Sequence, residues 1–227
     1  MSSTFTLTGK KSILSCNFFP PIELNPTLDY SIGLISLDTY NSIPNIEAKK
    51  NNQLKCNGKL ISLPTGAYEI STLESELQNL FGGVDKITLK ANHSTLKCEL
   101  KSVYGLDFNV PHSLGSVLGF SKKELPPNTL HISDLPINIT TVTTILVECN
   151  LVTGAYLNGK EFHTLHTFAI RQPAGFRITQ VPSTIIYLPV QSRLIDTLSV
   201  KLLDQNGNLL NFRGETITVH LHLKHGL

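Results

Sequence analysis

The nine residues from Thr216 to Lys224, TITVHLHLK, alternate without a break between apolar and polar side chains. Ile217, Val219, Leu221 and Leu223 fall on one side, and Thr216, Thr218, His220, His222 and Lys224 on the other. Successive side chains of an extended chain point to opposite faces, so this pattern requires a strand with one buried and one polar face.

The same period recurs along the chain. In KITLKANHSTLKCEL, Ile87 and Leu89, then Leu96, Cys98 and Leu100, share one side of a hairpin that turns near Asn92-His93. In IDTLSVKLLDQNGNLLNF, Leu198, Val200 and Leu202 alternate with polar residues, and Asn206-Gly207 fits a type I′ turn, which needs positive φ at both central positions. The segments SILSCNF, YSIGLISLDTY, TTILVEC, TLHTFAI and STIIYLP read as further strands.

Helical signals are confined to two places. STLESELQNLFGG offers a capping box in Ser71 and Glu74, an apolar stripe of Leu73, Leu77 and Leu80 or Phe81, and Gly82 as a left-handed stop. HSLGSVLGF gives a single turn capped by Ser113. Strands this numerous, not alternating with helices, predict an all-β antiparallel sandwich with one or two short helices in its loops. The expected organisation is a single domain over 1–227, with the polar residues 1–12 as a flexible arm. Long connections at 41–62, 102–142, 150–163 and 171–183 carry prolines such as Pro44, Pro64, Pro126, Pro127 and Pro136, and are expected to be fixed loops that pack against something.

Composition removes several function classes. Charged residues are only 16% of the chain, against roughly 25% in an ordinary soluble protein. Lys plus Arg number 19 and Asp plus Glu 17, with no basic stripe of the kind that neutralises phosphates, so sequence-specific nucleic-acid binding is not expected. The N-terminal MSSTFTLTGKK lacks the apolar run of a signal peptide or membrane span, which predicts a product retained in the cytoplasm or nucleus. Cys16, Cys56, Cys98 and Cys149 form no C-x-x-C pair and read as free thiols in a reducing compartment. The sequons at Asn92 and Asn138 are then incidental.

His220 and His222 share a strand face at a spacing that suits two ligands to one metal, and Gly214 precedes them as in the opening of a cupin motif. The Glu that motif requires is missing, and a polar face meeting water or a neighbouring protein accounts for the same residues. His163 and His166, three apart, fall on opposite faces of a strand. There is no H-E-x-x-H, no G-x-S-x-G elbow and no phosphate loop, since FGGVDK lacks the Gly-Lys-Ser/Thr ending. No catalytic, cofactor-binding or metal-ligating residue is therefore assigned, and the chain is not expected to be an enzyme.

Several long stretches, taken together and in order, carry a family resemblance. GLISLDTYNSIPNIE, LPTGAYEISTLESEL, FNVPHSLGSVLGF, LPINITTVTTILVECNLVTGAYLNGKEFHTLHTF and IIYLPVQSRLIDTLSVKLLDQNGNLLNFRGETITVHLHLK resemble the penton, or minor capsid, protein of Polinton (Maverick) elements and the related adintoviruses. The resemblance implies a single jelly roll of two four-stranded antiparallel sheets. It also implies a homopentamer at the icosahedral vertices of a virion, beside a major capsid protein with a double jelly roll. It brings no functional residues with it. The alternatives are a lectin-like or trimeric ligand-like jelly-roll binding module, and a cupin-type metal enzyme.

Overall fold

The structure is a computed structural model and describes residues 2–157 and 159–226. The chain divides into two compact units, one made of Met1–Ile43 with Val142–Leu227, the other of Pro44–Thr141.

The first unit contains eight principal strands: β1 (Ser2–Gly9), β2 (Ile13–Glu23), β3 (Tyr30–Tyr40), β4 (Thr144–Cys149), β5 (Thr164–Ala169), β6 (Arg177–Gln180), β7 (Leu194–Leu203) and β8 (Ile217–His225). One sheet has the order β1-β8-β3-β6 and the other β5-β4-β7-β2, with every neighbour antiparallel. Apart from the β4–β5 step, each successive strand lies in the sheet opposite its predecessor, which is the wiring of a jelly roll. Inward residues of both sheets share one core, including Leu7, Ile32, Leu34 and Leu221 from the first sheet and Leu14, Val147, Leu198 and Val200 from the second. The 216–224 alternation is realised as read: Ile217, Val219, Leu221 and Leu223 are buried.

The second unit enters between β3 and β4 and has its own core. A three-stranded sheet runs in the order Leu130–Pro136, Lys97–Ser102, Ile87–Ala91. A four-stranded sheet combines Lys59–Ser62, Gln53–Cys56, Leu106–Asp107 and Glu124–Leu125. Helix α1 (Ile70–Phe81) buries Leu73, Leu77 and Phe81, and Gly82 ends it at φ 85°. The short helix α2 (Gly115–Leu118) follows Ser113, whose hydroxyl accepts the Gly115 N–H at 3.2 Å.

Where one domain is expected from sequence, the structure thus has two units with separate cores. The segments 41–62 and 102–142 contribute strands of two to seven residues to the second unit, and the shortest of these cannot register a period of two. Residues 2–9 are not an arm. They form β1, in register with β8 from Ser2↔Lys224 to Gly9↔Ile217, and Leu7 is buried. Their signal is weak because an edge strand carrying Thr at alternate positions buries little. Of STIIYLP, only Leu188–Pro189 pairs, against β3.

Local details also shift. The α1 capping box is formed by Glu69 and Thr72, with the Glu69 N–H donating to Thr72 Oγ1 at 2.9 Å, not by Ser71 and Glu74. Glu74 instead reaches out of the helix to accept the Leu89 N–H at 3.0 Å. Leu96 is exposed, because it stands in the turn at φ 58° before the strand begins, whereas Cys98 and Leu100 are buried as expected. The 204–208 turn is not type I′, since only Gly207 has positive φ; the Asp204 carboxylate organises it by accepting the Asn206 and Asn208 amides at 2.8 and 2.9 Å.

Two stability outcomes follow from this packing. Leu198→Ala or Leu221→Ala should cost about 2–5 kcal/mol in urea unfolding, while Leu96→Ala should change stability by less than about 0.5 kcal/mol. Thr39, on the inner side of β3, has a buried hydroxyl with no hydrogen-bond partner among the described residues. Thr39→Val keeps the shape and removes that orphan, so it should raise stability by about 1 kcal/mol.

Candidate interaction surfaces

The polar side of β8 faces out of the sandwich, and its side chains are tied to the strands and segment around it. Thr6 Oγ1 on β1 lies 2.9 Å from His220 Nδ1, and Thr8 Oγ1 lies 3.2 Å from Thr218 Oγ1. His222 is bridged on both nitrogens, with Nε2 2.6 Å from Ser2 Oγ and Nδ1 2.7 Å from the Tyr187 hydroxyl. The Lys224 ammonium sits 3.7 Å from the centre of the Tyr187 ring, a cation–π contact. The two histidines thus knit β1, β8 and the 185–187 segment together.

That segment crosses the outer face of β3 because residue 33 is glycine. A Cβ there would stand 2.5 Å from Ile185 Cγ2 and 3.1 Å from both Ile186 O and Tyr187 Cδ1. Further along β3, Asp38 accepts from Arg177 Nη2 at 3.0 Å and Thr179 Oγ1 at 2.8 Å.

The other candidates are not brought together. His163 lies just outside β5 with Nδ1 2.6 Å from Val152 O, while His166 Nε2 is 3.2 Å from Gln180 Nε2. Burial holds the His166 imidazole below its ordinary pKa. Two acidic residues stand opposite each other in register across one strand pair, Asp107 and Glu124, and both line an open groove of about 520 Å³ with Lys55. Asp107 is engaged there by the Asn109 N–H at 2.7 Å and by Lys55 at 3.7 Å. Such a pairing across two-residue strands has no local signature in sequence. Among the described residues, no three His, Cys, Asp or Glu side chains cluster as a metal would require.

All four cysteines are free. Burial pushes the Cys98 thiol up to about 12, with a smaller contribution from the Glu99 charge, and the Cys149 thiol up to about 11. Cys16 and Cys56, half-buried, are raised by burial as well.

Several large apolar side chains remain exposed. Phe19, Leu96, Leu130, Ile132, Leu135, Val84, Tyr156, Phe176, Val181 and Ile186 each show more than half their surface.

No protein-family profile matches the sequence, and no curated protein matches it. Among solved structures, the chain is similar to the selenomethionine-labelled mavirus penton protein, with a TM-score of 0.52, 11% identity and 100% of both chains covered. The chain has a penton-like fold. The alignment covers both units.

Gly33→Ala should destabilise the protein by about 1–3 kcal/mol, because the added methyl overlaps Ile185, and hydrogen exchange should show faster opening at 185–187. The raised thiols set a pH dependence. The folded state keeps Cys98 and Cys149 protonated after the unfolded chain, with thiols near 9.0, begins to ionise. Their contribution is therefore complete below pH 9 and is lost as pH rises through 9 towards 11 and 12. Urea midpoints measured from pH 8 upward should fall accordingly, and Cys98→Ala should reduce the slope.

Proposed function

We propose that this protein is a penton, the minor capsid subunit of a virus or virus-like element of the Polinton (Maverick) and adintovirus kind. Five copies form a ring at each icosahedral vertex of a virion, seated among double-jelly-roll major capsid proteins. The observation that carries this reading is the likeness to the mavirus penton protein, aligned over the full length of both chains. The role is structural. Its recognition groups are exposed apolar side chains, while His222 and Asp107 are engaged in holding the fold.

A ring of five is a heterologous assembly in which each copy offers one surface to the next and a different one to the last. To hold in dilute solution, each contact needs to bury at least about 1,200 Å². Native mass spectrometry of the purified chain should therefore give a pentamer. A stable trimer would overturn the reading in favour of a ligand-like jelly roll. A twofold dimer would overturn it as well, because an isologous contact consumes the surface in pairs.

A further inference from the structure

The strand Leu130–Pro136 is an edge of the three-stranded sheet in the second unit; a break in register before Pro136 and the bond from the Leu135 N–H to Gly119 O blunt its C-terminal end, while Leu130 and Ile132 stand exposed ahead of it. Leu130, Ile132 and Leu135 are each more than half exposed, and so is Leu96, whose carbonyl accepts the Ile137 N–H at 2.8 Å. Cations border this apolar strip: Leu130 pairs with Lys101, and Pro136 with Lys97. Neither lysine has an ion-pair partner among the described residues, whereas the acids nearby are occupied. Glu99 accepts from Asn92 Nδ2 at 2.8 Å, and Asp134 from Lys123 Nζ at 2.7 Å and the Ser121 N–H at 2.9 Å.

The opposite edge of the same sheet, Ile87–Ala91, is covered by α1, with Gln78 Nε2 donating to Ile87 O at 3.1 Å and Glu74 accepting from Leu89. The exposed positions of α1 are Ser71, Thr72, Ser75, Asn79 and Leu80, with Glu69 exposed at its cap and Glu76 half-buried on its side. The helix and its cap hold Glu69, Glu74 and Glu76 and no cation, while Leu80 and Val84 are exposed. Beside the end of the helix lies an open groove of about 480 Å³, lined by Leu60, Leu80, Phe81 and Tyr104 together with Lys59.

We infer that the Leu130–Pro136 edge of one copy docks on the α1 face of a second copy, its Leu130 and Ile132 entering the groove beside Leu80. The occupant is a second copy of this chain because the two surfaces match in charge, Lys97 and Lys101 against Glu76 and Glu69. They also stand at opposite edges of one sheet, so a single chain cannot satisfy both itself. A contact between opposite edges is heterologous and repeats from copy to copy, as a closed ring requires. The inference rests on the penton reading only for the number of copies in the ring.

Wild type, Ile132→Asp, Val84→Asp, Lys101→Glu, Glu76→Lys and the double variant Lys101→Glu with Glu76→Lys are compared by native mass spectrometry and sedimentation over a concentration series. Thermal midpoints verify that each surface variant folds. Ile132→Asp and Val84→Asp should each weaken association by at least about tenfold. Each single charge reversal should weaken it by about threefold or more, and the double variant should recover it, since every contact then pairs the reversed charges. A stable ring of five indifferent to these changes overturns this contact and leaves the penton reading standing. A ring of another order that responds to them, with rescue, supports the contact and overturns the vertex reading. A wild-type chain that stays monomeric throughout overturns this contact and leaves the penton reading standing, since a smaller interface closes only inside the capsid.

Discussion

Strand β8 lies between β1 and β3, so the last strand in the sequence is bonded along its length to the first and the third. Its four inward residues, Ile217, Val219, Leu221 and Leu223, stand at the centre of the sandwich core, and its outward histidines anchor β1 and the 185–187 segment. Without β8, β1 would have no partner in its sheet, and β3 would lose its neighbour on one side. Pairing residue 2 with residue 224 closes almost the whole chain, and such non-local contacts stabilise only after the entropy of loop closure has been met. The burial of four large side chains on one strand, with the backbone bonds on both sides, offsets that cost.

The connection between β3 and β4 shows how much a jelly roll tolerates at its loops. Lengthening a closed loop adds to its entropic cost only slowly, about 0.6 kcal/mol per doubling, so an insertion that folds on its own core burdens the host little. Here the insertion from Pro44 to Thr141 has both helices and a core of its own, centred on Leu73, Leu77, Leu89, Leu100 and Phe108. The exposed apolar strip along its Leu130–Pro136 edge is the sort of surface that monomeric proteins avoid.

Strands with a strong alternation, at 87–91, 194–203 and 217–225, were legible in sequence because their buried residues are large and regularly spaced, and those at 30–40 and 144–149 from their apolar and β-branched composition. So was the buried stripe of α1 and its glycine stop. The strands at 53–62, 106–107 and 124–125 were not, since two to four residues carry no readable period and take their conformation from partners far along the chain. Leu96 misled because parity alone placed it on the inner face, whereas the hairpin turn claims it. Gly33 gave no sign of its role, which is to let Ile185 and Tyr187 lie against the sheet.

Alternation and the scarcity of helical segments thus determined an all-β sandwich from local pattern alone, because side-chain period depends only on neighbouring residues. The separation of the chain into two cores was decided by tertiary structure, since contiguous packing, not local pattern, divides one hydrophobic cluster from another. So were the bridging of His222 between Ser2 and Tyr187 and the placing of Asp107 opposite Glu124. These pairings join residues remote in sequence, and the sheet order that brings them together is a property of the whole chain.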